Sequence, residues 1–357
     1  DVRYGGGWHR VADPIREPLI ALQSLLPGHA VGSPLDKLRI GVLRAQSIWR
    51  ASMRNTEDDD RSLLEVLEEA GMSQEIIDRF FRPFIGSIFF DPELRTSALA
   101  FDFVFSSIAM GQNCLPRAGI GAVSRQLAES AIEAGCDFHF GSRVTRLSEG
   151  PEFEVALGDC LEQRTARALV VATDANQAAD LLGDIHFDGP SGPPVGTMCL
   201  YFGADADDVP TKDPILMVNG ELPTCAYGST AVANATFISN VVPEYAPPGR
   251  ALLSCTLLGL PSEPDCDVEA SVRTQLASWL SPRVVDRLEF LRAYRIPFAQ
   301  VCGRPPARTR PTRVEGRPGV YLCGEHREVG ASLDGALRSG RRCAEAIVAD
   351  LGAARST

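Results

Sequence analysis

The chain of 357 residues carries 35 Lys and Arg against 46 Asp and Glu, a net charge of −11, with 45% apolar and 23% charged residues. That length leaves room for two domains, or for one large domain with a second inserted in it, of ordinary globular composition. The negative balance excludes a nucleic-acid partner and any electrostatic pull toward anionic lipid. No run of 18 apolar residues and no charged-then-apolar leader occurs, so neither a transmembrane segment nor a signal peptide is expected.

Only Lys37 and Lys212 are lysines, which leaves little amine for Schiff-base or general-base work. Ten cysteines without a C-x-x-C pair suggest reduced thiols in a reducing compartment, cytoplasm or plastid stroma. His9, His29, His139, His186 and His326 have no metal-ligand spacing, so no metal is expected.

In chain order, Asp1 to Pro14 reads as a strand, a glycine turn and a second strand. Residues 14 to 80 read as helical. Pro34 to Ser52 forms an amphipathic helix whose apolar positions are Leu35, Leu38, Val42, Leu43, Ile48 and Trp49. Thr56 to Asp60 is a polar break. Ser62 to Ala70 is a short helix closed by Gly71, and Ser73 caps the next, through Phe81. Eight phenylalanines fall between Phe80 and Phe105; they form a helical core, line a cavity for a flat or long apolar ligand, or do both.

Leu115 to Gly121 is a glycine-punctuated loop leading into a helix, Ala122 to Glu133, with Val123, Leu127 and Ile132 on one face. Asp137 to Leu147 and Phe153 to Leu157 read as strands joined by a turn at Glu149-Gly150. Ala168 to Thr173 reads as a strand buried on both faces, and Asn176 to Leu182 as a helix. Short alternating segments between 190 and 260 predict an antiparallel sheet. Val268 to Leu280 and Pro282 to Leu288 are helical. The chain closes with a strand, Gly319 to Gly324, a loop, and a helix from about Ser332 to Leu351 with Leu333, Leu337, Ala344, Ile347, Val348 and Leu351 on one face.

The last forty residues carry the chemistry. An acid, Glu325, follows the strand's terminal glycine, and the helix opens on Ser332-Leu333-Asp334-Gly335, small residues that let a ligand approach the free amides and the positive end of the helix dipole. Tyr321-Leu322-Cys323-Gly324-Glu325-His326 and the run from Ala331 to Ile347 resemble the C-terminal FAD motif of the amine oxidase and phytoene desaturase class of flavoproteins. The resemblance implies that Gly324 and Glu325 serve the ribityl or phosphate region, and that Ser332, Leu333 and Gly335 face the isoalloxazine. Phe140 to Leu147 resembles the strand whose backbone, at Val144, pairs with the adenine. Val170 to Ala175 resembles a strand-to-turn motif that sets Ala172 and Thr173 beside the cofactor. Asp36 to Arg39, Phe80 to Phe84, Leu94 to Ser97 and Leu115 to Gly121 extend the likeness over the whole chain, to a branch usually called NAD(P)/FAD-dependent oxidoreductases.

The sequence departs from that class in one respect: it contains no strand–G-x-G-x-x-G–helix unit, so the main donors to a pyrophosphate are missing from it. Roughly 80 further residues are expected before Asp1 on that resemblance. Neither lysine lies where the class places an active-site lysine, and no aromatic residue takes the cage position before Gly324, so amine oxidation is disfavoured and catalytic residues stay unassigned. His326 reads as a structural loop histidine or, alternatively, as a proton-transfer group.

The expected fold is mixed α/β: a partial FAD-binding, Rossmann-like domain (115–185 and 301–357) interleaved with a substrate domain of helices on an antiparallel sheet (1–114 and 186–300). The expected activity is FAD-dependent oxidation or desaturation of an apolar, isoprenoid-like small molecule. The alternative is a flavin-less relic serving as a structural or assembly subunit of a larger complex.

Overall fold

The computed structural model describes residues 1–13, 15–24, 30–53, 60–147, 153–157, 162–183 and 194–353. The fold is mixed α/β, as expected. Its largest element is a seven-stranded, mostly antiparallel sheet. From one edge its strands are Glu289–Val301, Pro194–Asp205, Arg250–Leu258, Val232–Phe237, Met217–Asn219, Val2–Tyr4 and Gly7–His9. The two N-terminal strands form the anticipated hairpin, turned by Gly5 and Gly6, both at positive φ (57° and 75°), as a tight two-residue turn requires.

Alternation decides which side of this sheet is core. Met198, Leu200 and Phe202 on one central strand, with Leu253, Cys255 and Leu257 on its neighbour, point to the same face and are fully buried. The helix Asp265–Trp279 covers them with Val268, Val272, Leu276 and Trp279, spaced as one helical stripe. The outermost strand, Glu289–Val301, is longer than any element expected there from sequence. It is largely exposed, so its side chains show no clean alternation, and its pairing slips register at Phe290/Arg292 and Ile296/Gln300.

A second core is helical. The helix expected from Ser62 is Leu63–Glu69, which Ser62 caps in a capping box with Glu65, and Ser73 caps the following helix as read from sequence. That second helix continues past Phe81 as a π-helical stretch, Ile77–Ile85, with Pro83 inside it; the wide turn tolerates a residue that has no N–H to give. Phe81, Ile85, Phe101 and Leu43 are buried at its centre.

The helix Pro34–Met53 forms as expected but presents another face. Leu35, Leu38, Val42 and Trp49 are exposed (Leu38 by 67%), while Asp36, Leu43 and Ser47 are buried. The polar residues on the inner face are there because they are bonded. Asp36 accepts from the amide and hydroxyl of both Ser33 and Ser73, tying two helix starts together, and Ser47 donates to Asp102 at 2.5 Å. Burial works to raise the Asp36 pKa; these hydrogen bonds outweigh it and leave the carboxyl below its ordinary range.

A parallel pair, Leu169–Val171 with Val320–Leu322, and a separate three-stranded sheet, Val144–Leu147, Phe153–Leu157 and Glu162–Ala166, complete the structure. Two readings need correction here. The strand predicted from Asp137 is confined to Val144–Leu147, because Phe138 and Phe140 stack on each other in the open (Phe140 is 85% exposed) instead of pairing. The strand at 169–171 is buried on one side only, with Val171 inside and Val170 exposed; on Val170's face the helix Leu333–Ala353 covers its neighbour Tyr321 through Cys343 but leaves Val170 open. The polar break at 56–59, the turn at 149–150, His29 and His186 lie outside the described residues.

Candidate functional site

The two parallel strands end side by side. Cys323 donates to the carbonyl of Val171 at 3.1 Å, and the chain turns at Gly324 within 3.6 Å of the Thr173 carbonyl, measured from where a Cβ would stand. Gly324 has φ +147°, and a Cβ there would meet the His326 ring at 2.6 Å, so only glycine fits. Ala172, Thr173 and Asp174 are exposed at this carboxyl end of the strands, the position where open parallel sheets bind ligands. Asp174 is occupied in capping the helix Ala175–Leu182. Ala172, Thr173 and Gly324 are thus brought to one corner.

The loop after Gly324 is held from several sides. Ser339 of the terminal helix, Leu333–Ala353, accepts from the Gly324 amide at 3.0 Å. Glu325 is half-buried and takes a hydrogen bond from the Val301 backbone; burial pushes its carboxyl above the ordinary range against that bond. His326 is buried, and burial, then Arg327 and Arg310, lower its pKa from 6.5 to about 4, so the ring is neutral near pH 7. That fits the structural reading of this histidine. Arg342 clamps the loop, pairing with Glu328 at 2.7 Å and donating to the Arg310 carbonyl at 3.1 Å. The cavity left between Glu325, Arg308, Arg310 and Ala331 measures only about 20 Å³, room for a water but not for a ring.

The terminal helix starts where expected. Ser332 caps it, its hydroxyl accepting from the Gly335 amide at 2.9 Å and its carbonyl from Ala336. The amides of Leu333 and Asp334 have no partner among the described residues. Gly335 is buried, with Glu328 and the Gly330 carbonyl each about 3.3 Å from where its Cβ would stand. The helix rests on a stripe of small residues, Gly335, Ser339 and Cys343, while Leu333, Leu337 and Val348 of the predicted apolar face are exposed. Val144 lies apart from this corner, in the three-stranded sheet; the link is Leu147, which packs on the core of Val171, Val320 and Leu322.

The helix Ala98–Met110 connects the corner to an apolar cleft. Gly330 packs on Ala100, whose Cβ stands 3.2 Å from where the glycine's own Cβ would be, and the Arg338 guanidinium lies 5.6 Å from the Phe103 ring centroid. Phe105, Ile108 and Ala109, about 8–14 Å further along the same helix, line a chamber of about 700 Å³, with Phe80 and Phe84 stacked at 5.4 Å on its wall. A second chamber, about 490 Å³, shares Val11, Ala12, Ile40, Arg44 and Phe80 with the first. The phenylalanine-rich stretch therefore does both things its composition allowed. Phe81 and Phe101 are core; Phe80, Phe84 and Phe105 face the cleft. Lys37 and Arg44 line the second chamber; Arg44 belongs to no motif, although its spacing with Lys37 and Gly41 places all three on one helix face.

Among the described residues no His/Cys/Asp/Glu group suits a metal ion, and no helix is long and apolar enough to cross a membrane. A family model described as flavin containing amine oxidoreductase matches residues 16–348. Among solved structures, an oxidoreductase from Methanosarcina mazei aligns over 88% of this chain and 73% of its own, at 14% identity and TM-score 0.64. A protein from Exiguobacterium, provisionally assigned as a protoporphyrinogen oxidase, aligns over 93% and 74% at 15% identity and TM-score 0.60. Reduced UDP-galactopyranose mutase aligns over 90% and 72%, at 15% identity and TM-score 0.56. At such identities the likeness is one of fold. No curated protein matches the chain.

Proposed function

This chain belongs to the flavin-containing amine oxidoreductase family, and from that premise we propose that it is the ring-binding and substrate-binding part of an FAD-dependent oxidoreductase acting on an apolar small molecule. The observation that carries the reading is the pair of unpartnered amides, Leu333 and Asp334, at the start of a 21-residue helix beside the carboxyl ends of two parallel strands. Amides in that position stabilise negative charge at the edge of a ring.

The residues would serve one half of the cofactor, its ring lying outside the cavity of about 20 Å³ beside Glu325 and against the exposed helix start at Leu333 and Asp334. Leu333 and Asp334 would offer hydrogen bonds to the isoalloxazine, with Gly330 and Gly335 keeping the approach free of side chains. Ala172, Thr173, Gly324 and Glu325 would border the ribityl chain, and Val144 the adenine end. Segments 115–185 and 301–357 would form the FAD unit, and 1–114 with 186–300 the substrate unit. A bound flavin supplies hydride acceptance; the chain's own residues orient the substrate along the helix Ala98–Met110 and exclude water with the Phe80/Phe84 wall. Burial pulls the Lys37 ammonium below its ordinary range, against the raising effect of Asp36. It lines the second chamber, whose wall among the described residues includes none from the helix Ala98–Met110 that leads to the corner, which supports a binding role for it over a proton-transfer role at the flavin.

The phosphate half has no counterpart in these residues, because the sequence holds no G-x-G-x-x-G turn. The test follows from that split. Titrating the protein with riboflavin and with FAD should quench flavin fluorescence to a similar degree at similar concentrations. Leu333→Pro should weaken both about tenfold, since proline at the first helical position keeps the helix and deletes one amide. No quenching of either flavin at protein concentrations up to the millimolar range would overturn the reading and leave the alternative, a flavin-less subunit of a larger complex.

A further inference from the structure

The second chamber differs from the first in charge. The first is lined by Asp1, Asp13, Glu17 and Asp213 as well as Arg10 and Arg44, and Arg10 is already paired with Asp1 at 2.9 Å and Asp213 at 3.0 Å. The second is lined by apolar residues and by two cations, Lys37 and Arg44, with no carboxylate among the described residues on its wall. Lys37, Gly41 and Arg44 fall on one face of the helix Pro34–Met53, at the spacing of successive turns.

Arg44 stands at the waist between the chambers and is under-used. Its Nη2 donates to the Ala109 carbonyl at 2.7 Å and is ion-paired with Asp13 at 3.6 Å, while Nε and Nη1 have no hydrogen bond among the described residues. A guanidinium against an apolar wall with donors to spare recognises a carboxylate well.

We infer that the second chamber holds the acid end of an elongated apolar carboxylic acid, its carboxylate against Arg44 in the field of Lys37 and its body passing Phe80 into the first chamber. Asp1, Glu17 and Asp213 in the first chamber would repel a carboxylate there, which fixes the orientation, while Asp13 holds Arg44 through Nη2 and leaves Nε and Nη1 for the ligand. The apolar end then lies toward Phe105 and the helix that leads to Gly330. The inference rests on the cleft being the substrate side of the protein, and it names the substrate class for that site.

The test uses cis-parinaric acid, a fluorescent long-chain polyene carboxylic acid, and its methyl ester, titrated into the full chain without flavin. A failure of flavin binding therefore leaves this measurement readable. The acid should bind roughly tenfold more tightly than the ester. Arg44→Gln should remove that preference by weakening the acid alone, with ester binding and thermal midpoint reporting an intact fold. Gly41→Phe should block both probes: a Cβ at Gly41 meets nothing within 4 Å, so the new ring projects into open space without backbone strain. Equal affinity for acid and ester in the native chain, equal weakening of both by Arg44→Gln, acid binding untouched by Gly41→Phe, or no binding of the acid would each overturn the inference.

Discussion

The seven-stranded sheet and the helix Gly121–Glu133 both carry a periodic apolar pattern, yet only the first buries it. On the sheet, Met198, Leu200, Phe202, Leu253, Cys255 and Leu257 are sealed under the stripe of the helix Asp265–Trp279. The helix Gly121–Glu133 buries none of its residues. Leu127, Ile132 and Val170 stand open, and the terminal helix shows Val348 at 72% exposure. A periodic stripe states that a helix has an apolar side; it does not state that anything covers that side. The sheet is sealed along a whole helical stripe, whereas at the corner the terminal helix covers Tyr321 and Cys323 and leaves Val170 open.

Three measurements break or sharpen this contrast. Phe202→Ala should cost about 3–5 kcal/mol of unfolding free energy by denaturant titration, because it empties a site packed by Phe290, with the Arg273 guanidinium 5.1 Å from the ring; a loss under 1 kcal/mol would mean that the sheet core is not what holds the chain together. The intermediate case is His326. Its folded pKa, about 4, lies below the ordinary 6.5, so the unfolded chain takes the proton first. Stability present above pH 6.5 should then fall as pH drops toward 4, and His326→Gln should flatten that slope. A native slope that matches the variant's would remove the buried neutral ring from the account of the corner. Smallest of all, Leu127→Ser should change stability of this chain by no more than about 0.5 kcal/mol. A larger loss would show that the helix Gly121–Glu133 is packed in solution and would erase the difference between the two regions.

Legibility from sequence followed the same divide. Caps and turns were readable because their chemistry is local: Ser73 and the Gly5-Gly6 hairpin each act within a few residues. The strand Glu289–Val301 was not, since an exposed edge leaves no alternation to find. The face of the helix Pro34–Met53 was misread for a related reason. Asp36 and Ser47 lie inside because Ser33, Ser73 and Asp102 complete their hydrogen bonds, and partners up to 55 residues away are invisible to a local window.

The candidate site divides likewise. Gly324, Glu325, Ser332, Leu333 and Gly335 could be named from one short stretch, and Gly324 is held to glycine by its φ of +147° and the His326 ring. Arg44 could not be named, because its interest lies in two chambers formed by segments from Asp1 to Val218.

What the sequence by itself determined is the set of local commitments: which residues start and stop helices, where glycine alone fits, and that no metal-ligand spacing is present. Which faces are buried, how the strand ends at Val171 and Leu322 meet, and where Lys37 and Arg44 stand were decided by tertiary structure. The physical reason is that burial and hydrogen-bond completion depend on partners distant in sequence, whereas capping and backbone strain do not.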